Sequence, residues 1–395
     1  MSSSVSTTIY DALRAQRGEM VELLARLVSA ESPSDDPASV QSAQALLVDE
    51  FESLDFVVRR LEGSAVGDHL YARPASRERS VARQLIIGHV DTVWPLGTLA
   101  TMPVQEQGGH LLGPGVYDMK AGLVQLIFAL RALREHDLRS AVTPLVLINS
   151  DEEIGSPEST RYITMLARRA SRAFVLEPAY GLSGRLKTAR KGAGRFTLRV
   201  GGVAAHAGSD PQSGASAILE LSHQVHKLFQ LNDPESGITV NVGTIEGGLR
   251  SNVVAPEAAA HIGVRVTSDE QADELERAIR ALAPVTDGTT IEVDGGFGRP
   301  PMEATVANQM LAKTAIELGA AIGLELAEAG MVGGASDANT TSQHTATLDG
   351  LGPVGHGAHA LDEYVVVSSL PERAALLALL LASPLEADER GVGGD

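Results

Sequence analysis

Three short apolar runs constrain this chain most: QLIIG at 84–88, PLVLIN at 144–149 and AFVL at 173–176. Short runs without polar alternation read as strands covered on both faces. Segments with helical spacing accompany them. One spans 20–29. Another spans 41–54, with Ala43, Leu46, Leu47 and Phe51 on one side, and a third spans 119–134, with Leu123, Leu126, Ile127 and Leu130 in phase. Strands alternating with helices predict an α/β sheet between helical layers.

The pattern changes near Lys191. Residues 195–200 (RFTLRV) alternate strictly, with Phe196, Leu198 and Val200 on one side, which predicts a half-buried strand. A helix follows at 215–231, then strands at 238–244 and 258–266. Ser268 with Gln271 three residues on predicts a capping box opening the next helix. A strand at 290–294 ends at Gly295-Gly296. This β-α-β-β-α-β order is that of a small two-layer sandwich. From Pro300 the α/β pattern resumes, with helices at 306–318 and 371–382. A small domain is therefore inserted into a larger one.

Composition removes several chemistries. The 395 residues include no cysteine, so disulfides, thiol nucleophiles and iron–sulfur clusters are excluded. Any metal must be held by His, Asp, Glu or water. Acidic residues outnumber basic ones by 50 to 32, which argues against a nucleic-acid partner. The N-terminus lacks the basic and apolar blocks of a signal peptide. The longest apolar run, at 374–382, is shorter than the ~20 residues a membrane span needs. A cytoplasmic protein with no membrane partner is expected, with a frayed tail at 386–395.

Candidate chemistry gathers after the strands. His89-Val90-Asp91 directly follows the run at 84–88. Ligands of open α/β sheets bind outside the carboxyl ends of the strands. A histidine there suits a metal ligand whose ring Asp91 orients; a structural histidine with a turn Asp fits the same residues. Asp118 precedes the helix at 119–134 and reads equally as an N-cap or, after Gly113-Pro114-Gly115, as a carboxylate projecting into a cleft. Asp151-Glu152-Glu153 closes the second run. These carboxylates belong either to a solvated loop or around a dication, where one could act as general base. Glu177 follows the third run in the same topological position. A histidine and carboxylates after three separate strands converge on one rim, which chance rarely arranges. His356 and His359 compete for one role in a glycine-rich loop. His223 and His226, three apart on a helix, permit metal binding but read as a solvated face. His206, among small residues, leaves room for a substrate or another backbone to approach.

Together these residues resemble the co-catalytic zinc peptidase family of glutamate carboxypeptidase, acetylornithine deacetylase, succinyl-diaminopimelate desuccinylase and aminoacylase. The marks are His89-Val90-Asp91-Thr92, Gly113-Pro114-Gly115 with Asp118-Met119-Lys120, Asp151-Glu152-Glu153-Ile154-Gly155, Leu176-Glu177-Pro178, His206-Ala207-Gly208, Asn252-Val253-Val254, and His359 four residues before Glu363. Leu176-Glu177-Pro178 and Arg190-Lys191-Gly192 point to the glutamate carboxypeptidase branch. The resemblance implies a large α/β catalytic domain at 1–188 and 299–395, with a mixed, mostly parallel sheet between helices. It also implies an inserted α+β sandwich at 189–298, serving as lid and dimerisation domain.

The resemblance also implies the roles. His89 and Glu177 would bind one Zn²⁺, and Glu153 and His359 the other; Co²⁺ or Mn²⁺ are possible substitutes. Asp118 would bridge the two ions, with a non-proline cis peptide after it. Asp91 would orient His89, and Glu152 would be the general base. His206 would stabilise the oxyanion from the partner subunit of a homodimer. Arg265 and Asn252 would hold the substrate carboxylate, with Gly334 and Ser336 of the Gly333-Gly334-Ala335-Ser336-Asp337 loop beside it; Arg250, between Gly247-Gly248 and Ser251-Asn252, is by its own position a further candidate. The expected substrate is an N-acyl amino acid or small peptide cleaved at its C-terminal residue. A deacylase, a dipeptidase, an N-carbamoyl amidohydrolase or a catalytically dead binding scaffold are the alternatives.

Overall fold

The three apolar runs form adjacent parallel strands, and their carboxyl ends decide where chemistry can occur. This computed structural model describes residues 3–76, 82–138, 140 and 142–385. The stretch 386–395, expected to be a frayed tail, lies outside the described residues. Helices α1 (Ser3–Ala15), α2 (Arg17–Ser29) and α3 (Pro37–Ser53) come first. Strands β1 (Phe56–Leu61), β2 (His69–Pro74), β3 (Arg83–His89), β4 (Gln105–Gln107) and β5 (His110–Leu112) follow, then α4 (Ala121–Glu135), β6 (Thr143–Asn149), α5 (Thr160–Ala167) and β7 (Arg172–Val175). The alternating segment contains β8 (Gly192–Gly201), α6 (Ala217–Phe229), β9 (Thr239–Gly247), β10 (Glu257–Val266), α7 (Asp269–Arg280) and β11 (Thr290–Arg299). The chain returns through α8 (Val306–Ala320), α9 (Asp337–Thr341), β12 (Ala346–Leu348), β13 (Gly355–His356), β14 (Tyr364–Val366) and α10 (Ser369–Ala382).

Two compact units result. The larger takes the residues up to Ala189, Ala304–Gly330 and those from Ser336 on; the smaller takes Arg190–Glu303 and Met331–Ala335. The larger unit's main sheet has the order β1-β2-β6-β3-β7-β12. β3 runs parallel to β6 and β7, and β7 to β12, whereas β2 is antiparallel to both its neighbours. The mixed, mostly parallel sheet is the one expected from sequence. Ile86, Val146, Ile148 and Phe174 join a core with α1 to α4 and α10. Leu85, Ile87, Leu145, Leu147 and Val175, pointing the other way, are equally buried. Burial on both faces explains why these strands read as continuous apolar runs. The apolar run at 374–382 is α10, a core helix whose residues Ala374 to Leu381 are fully buried. Among the described residues no helix is long and apolar enough to cross a membrane.

A second, antiparallel sheet in this unit has the order β13-β14-β5-β4. The hairpin joining β13 to β14 carries His359. In the smaller unit β11-β8-β10-β9 form an antiparallel sheet. Phe196, Leu198, Val200, Ile262 and Val264 pack on Leu221 and Leu228 of α6 and on Leu275 and Ile279 of α7, while Arg195 and Arg199 on the other face are exposed. This is the two-layer sandwich.

Two local expectations change. β11 does not stop at Gly295-Gly296 but continues to Arg299. Gly295 has φ 96°, and a Cβ there would meet the Arg195 carbonyl at 2.2 Å. The glycine thus lets the strand pass close to β8 rather than ending it. At α7, Ser268 does accept from the Gln271 amide, but the Gln271 side chain accepts from Thr267 rather than returning to Ser268.

Gly122 tests the packing behind the rim. A Cβ on it would lie 2.4 Å from the Leu176 carbonyl, next to Glu177. Alanine normally favours a helix by ~0.5–1 kcal/mol over glycine, but overpacking costs ~1–3 kcal/mol, so the contact sets the sign. Gly122→Ala should unfold at lower denaturant than the parent chain. An unchanged or higher midpoint would contradict this packing.

Candidate metal centre

Strand register builds the site. β3 pairs with β7 through Ile87 opposite Val175, so His89 and Glu177, two residues further along, reach one level. His89 also lies opposite Asn149 on β6, which brings Asp151, Glu152 and Glu153 to the same rim. His359 arrives from the β13–β14 hairpin with φ 61°, a left-handed conformation uncommon outside glycine.

The geometry around His89 calls for a cation. Its Nδ1 lies 3.0 Å from the Asp91 carbonyl oxygen, which can only accept, so the ring proton belongs on Nδ1. Nε2 then presents a lone pair. It faces Asp118 Oδ1 at 3.3 Å and Glu177 Oε1 at 3.7 Å. His89 Nε2 and Asp118 Oδ1 are both buried without a hydrogen-bond partner. Electron-rich atoms facing one another repel unless a positive charge stands between them. The other carboxylate oxygen of Asp118 lies 3.6 Å from His359 Nε2, which is 3.0 Å from Glu153 Oε2. Asp118 therefore offers one oxygen to each of two histidine–carboxylate groups. Ligand atoms of His89, Glu152 and Glu177 lie within 4.8 Å of one another, as do those of His89, Asp118 and Glu153. Imidazole nitrogen with carboxylate oxygen suits Zn²⁺ and its first-row neighbours. The donor set thus fits two such ions.

Proton affinities report the same field. Burial opposes a charge on His89, yet the carboxylates of Asp118, Asp91 and Glu152 around the ring raise its pKa well above the ordinary value. The Glu153 carboxylate lifts His359 to about 9. Burial raises Asp118, but His89 and His359 outweigh it and bring the carboxyl below its usual range.

Supporting residues hold the rim. Asp91 accepts from the Ser34 hydroxyl at 2.7 Å, and from the Glu152 and Glu153 amides at 3.3 and 3.2 Å. It thus fixes the glutamate turn as well as the His89 ring. Asp151 turns away and accepts from the Glu158 and Ser159 amides and the Ser159 hydroxyl. That removes one of three crowded carboxylates from the rim. Asp118 caps no helix, because α4 starts at Ala121 with Lys120 in the N-cap position. The Asp118–Met119 peptide is cis. Lys120 is buried and donates to the Leu27 and Ala30 carbonyls at the end of α2. Glu363 accepts four N–H bonds around the Asp118 turn, and burial pushes it up to about 7 against them. Ser34 and the functions of Lys120 and Glu363 escaped the sequence reading. The spacing of Glu363 after His359 was its signal; Ser34 had none.

Of the remaining expected residues, all but Ser336 belong to the smaller unit. His206 is exposed in the smaller unit, and its Nδ1 accepts from the Gly208 and Ser209 amides, each at 3.1 Å. Its proton therefore sits on Nε2, which is left to donate. Asn252 is beside it, with its carbonyl accepting from the Ala207 amide at 3.1 Å. Arg250 is exposed two residues before Asn252. Arg265 is half-buried, and burial and Arg195 lower its pKa. The Gly334 carbonyl accepts from Arg190. Ser336, in the larger unit, is 1% exposed. Its hydroxyl accepts from the Ala338 amide and donates to Asp349. It caps α9, so that hydroxyl serves the fold rather than a ligand. His223 and His226 join no metal-capable group among the described residues.

Fold and rim together define a metallohydrolase of amide bonds. Residues 85–383 match the family model described as peptidase family M20/M25/M40, and the chain belongs to that family. It is 28% identical over 386 residues to carboxypeptidase G2 of Pseudomonas sp. (strain RS-16), covering 94% of this chain and 91% of that one. It shares its fold with aminopeptidase PepT from Bacillus cereus, with TM-score 0.74, 22% identity and 93% and 98% of the two chains covered. The M20 family metallo-carboxypeptidase Sso-CP2 from Sulfolobus solfataricus is similar in the same way, with TM-score 0.72, 16% identity and 92% and 98% coverage.

Zn²⁺ added to metal-free protein should raise the melting temperature. At a hundredfold excess over Kd the gain is about 2.7 kcal/mol. Asp118→Asn should respond far less. An equal thermal shift in both proteins would remove Asp118 from the centre.

Proposed function

We propose that this chain is a two-zinc exopeptidase that releases the C-terminal amino acid from an N-acyl amino acid or small peptide, as glutamate carboxypeptidases do. The observation that carries this reading is Asp118, whose two oxygens face different histidines. His89 and Glu177 would hold one ion, Glu153 and His359 the other, and Asp118 both, with Co²⁺ or Mn²⁺ as substitutes. Two bound ions supply Lewis acidity to the amide carbonyl and a water of lowered pKa.

The protein groups do the remaining work. Glu152 stands within reach of His89 and Glu177. It would take the proton from the attacking water and pass it to the leaving amine nitrogen. His206 would donate from Nε2 to the carbonyl oxygen as negative charge builds there; the two amides held by its Nδ1 support that tautomer. Arg265, Arg250, Asn252 and Gly334 are our candidates for the carboxylate of the departing amino acid, since guanidinium pairs best with such a group.

His206 would serve the rim of a second copy in a homodimer built on the smaller unit. β9 is an edge strand of its sheet. On it Ile245 is 60% exposed, and near it Ile218, Leu219, Phe229 and Leu249 are 47%, 50%, 48% and 64% exposed. An apolar edge of this kind favours pairing with another copy.

Glu152→Gln should keep its metal by elemental analysis and lose turnover by roughly 10²–10⁴-fold, the usual worth of a general base. The assay is release of free amino acids from a panel of N-acyl amino acids and dipeptides. Turnover that survives in Glu152→Gln, or after exhaustive chelation, would sink the mechanism. His206→Ala and Glu152→Gln should each be inactive alone. After subunit exchange they should recover activity together, because the mixed dimer contains one intact site. No recovery in confirmed mixed dimers would mean that His206 does not act across the interface.

A further inference from the structure

Glu363 is fully buried, and four N–H groups converge on its carboxylate. Oε1 accepts from the Tyr117 amide at 2.8 Å and the Asp118 amide at 3.0 Å. Oε2 accepts from the Gly115 amide at 2.8 Å and from Trp94 Nε1 at 3.0 Å. These donors belong to two segments. One follows His89 and Asp91 and carries Trp94. The other is the turn that carries Asp118.

Glu363 itself stands on a third segment, the hairpin that carries His359. That hairpin is folded tightly around it. Its amide donates to the Ala360 carbonyl at 3.1 Å, and a Cβ on Gly357 would lie 2.9 Å from its Cα. Tyr364, the next residue, pairs with Leu112 on β5, which leads into the Asp118 turn. One side chain therefore ties together every segment that brings Asp118 and His359 to the rim. Carboxylate–zinc bonds tolerate little displacement around ~2.0–2.2 Å. An acceptor bonded to the Asp118 amide itself acts directly on that distance.

We propose that Glu363 is a positioning residue for the metal centre. It sets the spacing between Asp118 and His359, and it links that spacing to Trp94. The inference rests on the two-ion reading of the rim. Trp94 is the one tryptophan in the chain, so its emission reports on this junction alone.

Competition between metal-free protein and a chromophoric chelator gives Zn²⁺ affinity without reference to turnover. Glu363→Gln keeps the shape but turns an NH₂ group against N–H donors. Its Zn²⁺ affinity should fall about 10–100-fold, the usual effect of removing a residue that orients metal ligands, while its far-UV circular dichroism stays that of the parent. Glu363→Asp keeps the charge and should recover part of the affinity. In the parent chain Zn²⁺ should change Trp94 emission, and the midpoint should move to higher Zn²⁺ in both variants. Parent affinity in a folded Glu363→Gln would overturn the inference. If that variant does not fold, parent affinity in Glu363→Asp, or a Trp94 emission indifferent to Zn²⁺, would overturn it instead. Failure of the parent chain to take up Zn²⁺ would overturn the two-ion reading first, and this inference with it.

Discussion

Crowding of negative charge is the constraint on which the site depends. Asp91, Asp118, Glu152, Glu153 and Glu177 lie around two imidazoles. Five carboxylates gathered around two imidazoles repel one another at these separations, even with the buried Lys187 charge acting on Asp118. Added positive charge relieves that repulsion. The parallel strands create the crowding, because register leaves them no choice about which residues meet at their ends. The same charge that would destabilise an empty rim becomes binding energy when cations enter.

The hydrogen bonds around the rim divide the acids of these turns by duty. Asp151 and Glu363 point at backbone amides and hold turns. Asp91 does both, since it touches the His89 ring and also accepts from the glutamate turn. Asp118 and Glu153 keep oxygens facing the histidines. Acids adjacent in sequence thus have unlike tasks, and what separates them is the direction of the backbone after the strand.

Legibility followed the range of the interactions. The runs at 84–88, 144–149 and 173–176, and the alternation at 195–200, are local patterns, and each became the strand it resembled. The rim histidine and acids were legible because they follow those strands directly. β12, β13 and β14 are two or three residues long and exist through pairing with distant partners, so no local pattern announces them. Whether Asp118 was a cap or a cleft residue was undecided for the same reason. The answer depends on Glu363, far away in sequence, which holds the Asp118 amide. Ser34 contacts Asp91 only because two loops meet. The Ser336 hydroxyl could be placed in the fold only once Asp349 was beside it.

The fully buried helix α10 bears on the order in which the chain can fold. It follows every strand of the main sheet in sequence, and its backbone carbonyls at Leu380 and Leu381 accept from Arg172 and Gln84. During synthesis the larger unit therefore waits for α10 with its apolar face open. The strands β8 to β11 of the smaller unit are complete well before that, all drawn from one continuous stretch. The smaller unit can settle while the larger one still lacks its closing helix, and the larger unit's pairing is of the non-local kind that folds slowly. Until α10 arrives, the apolar surface it covers stays open, and open apolar surface of that kind is what makes partly folded chains prone to aggregate.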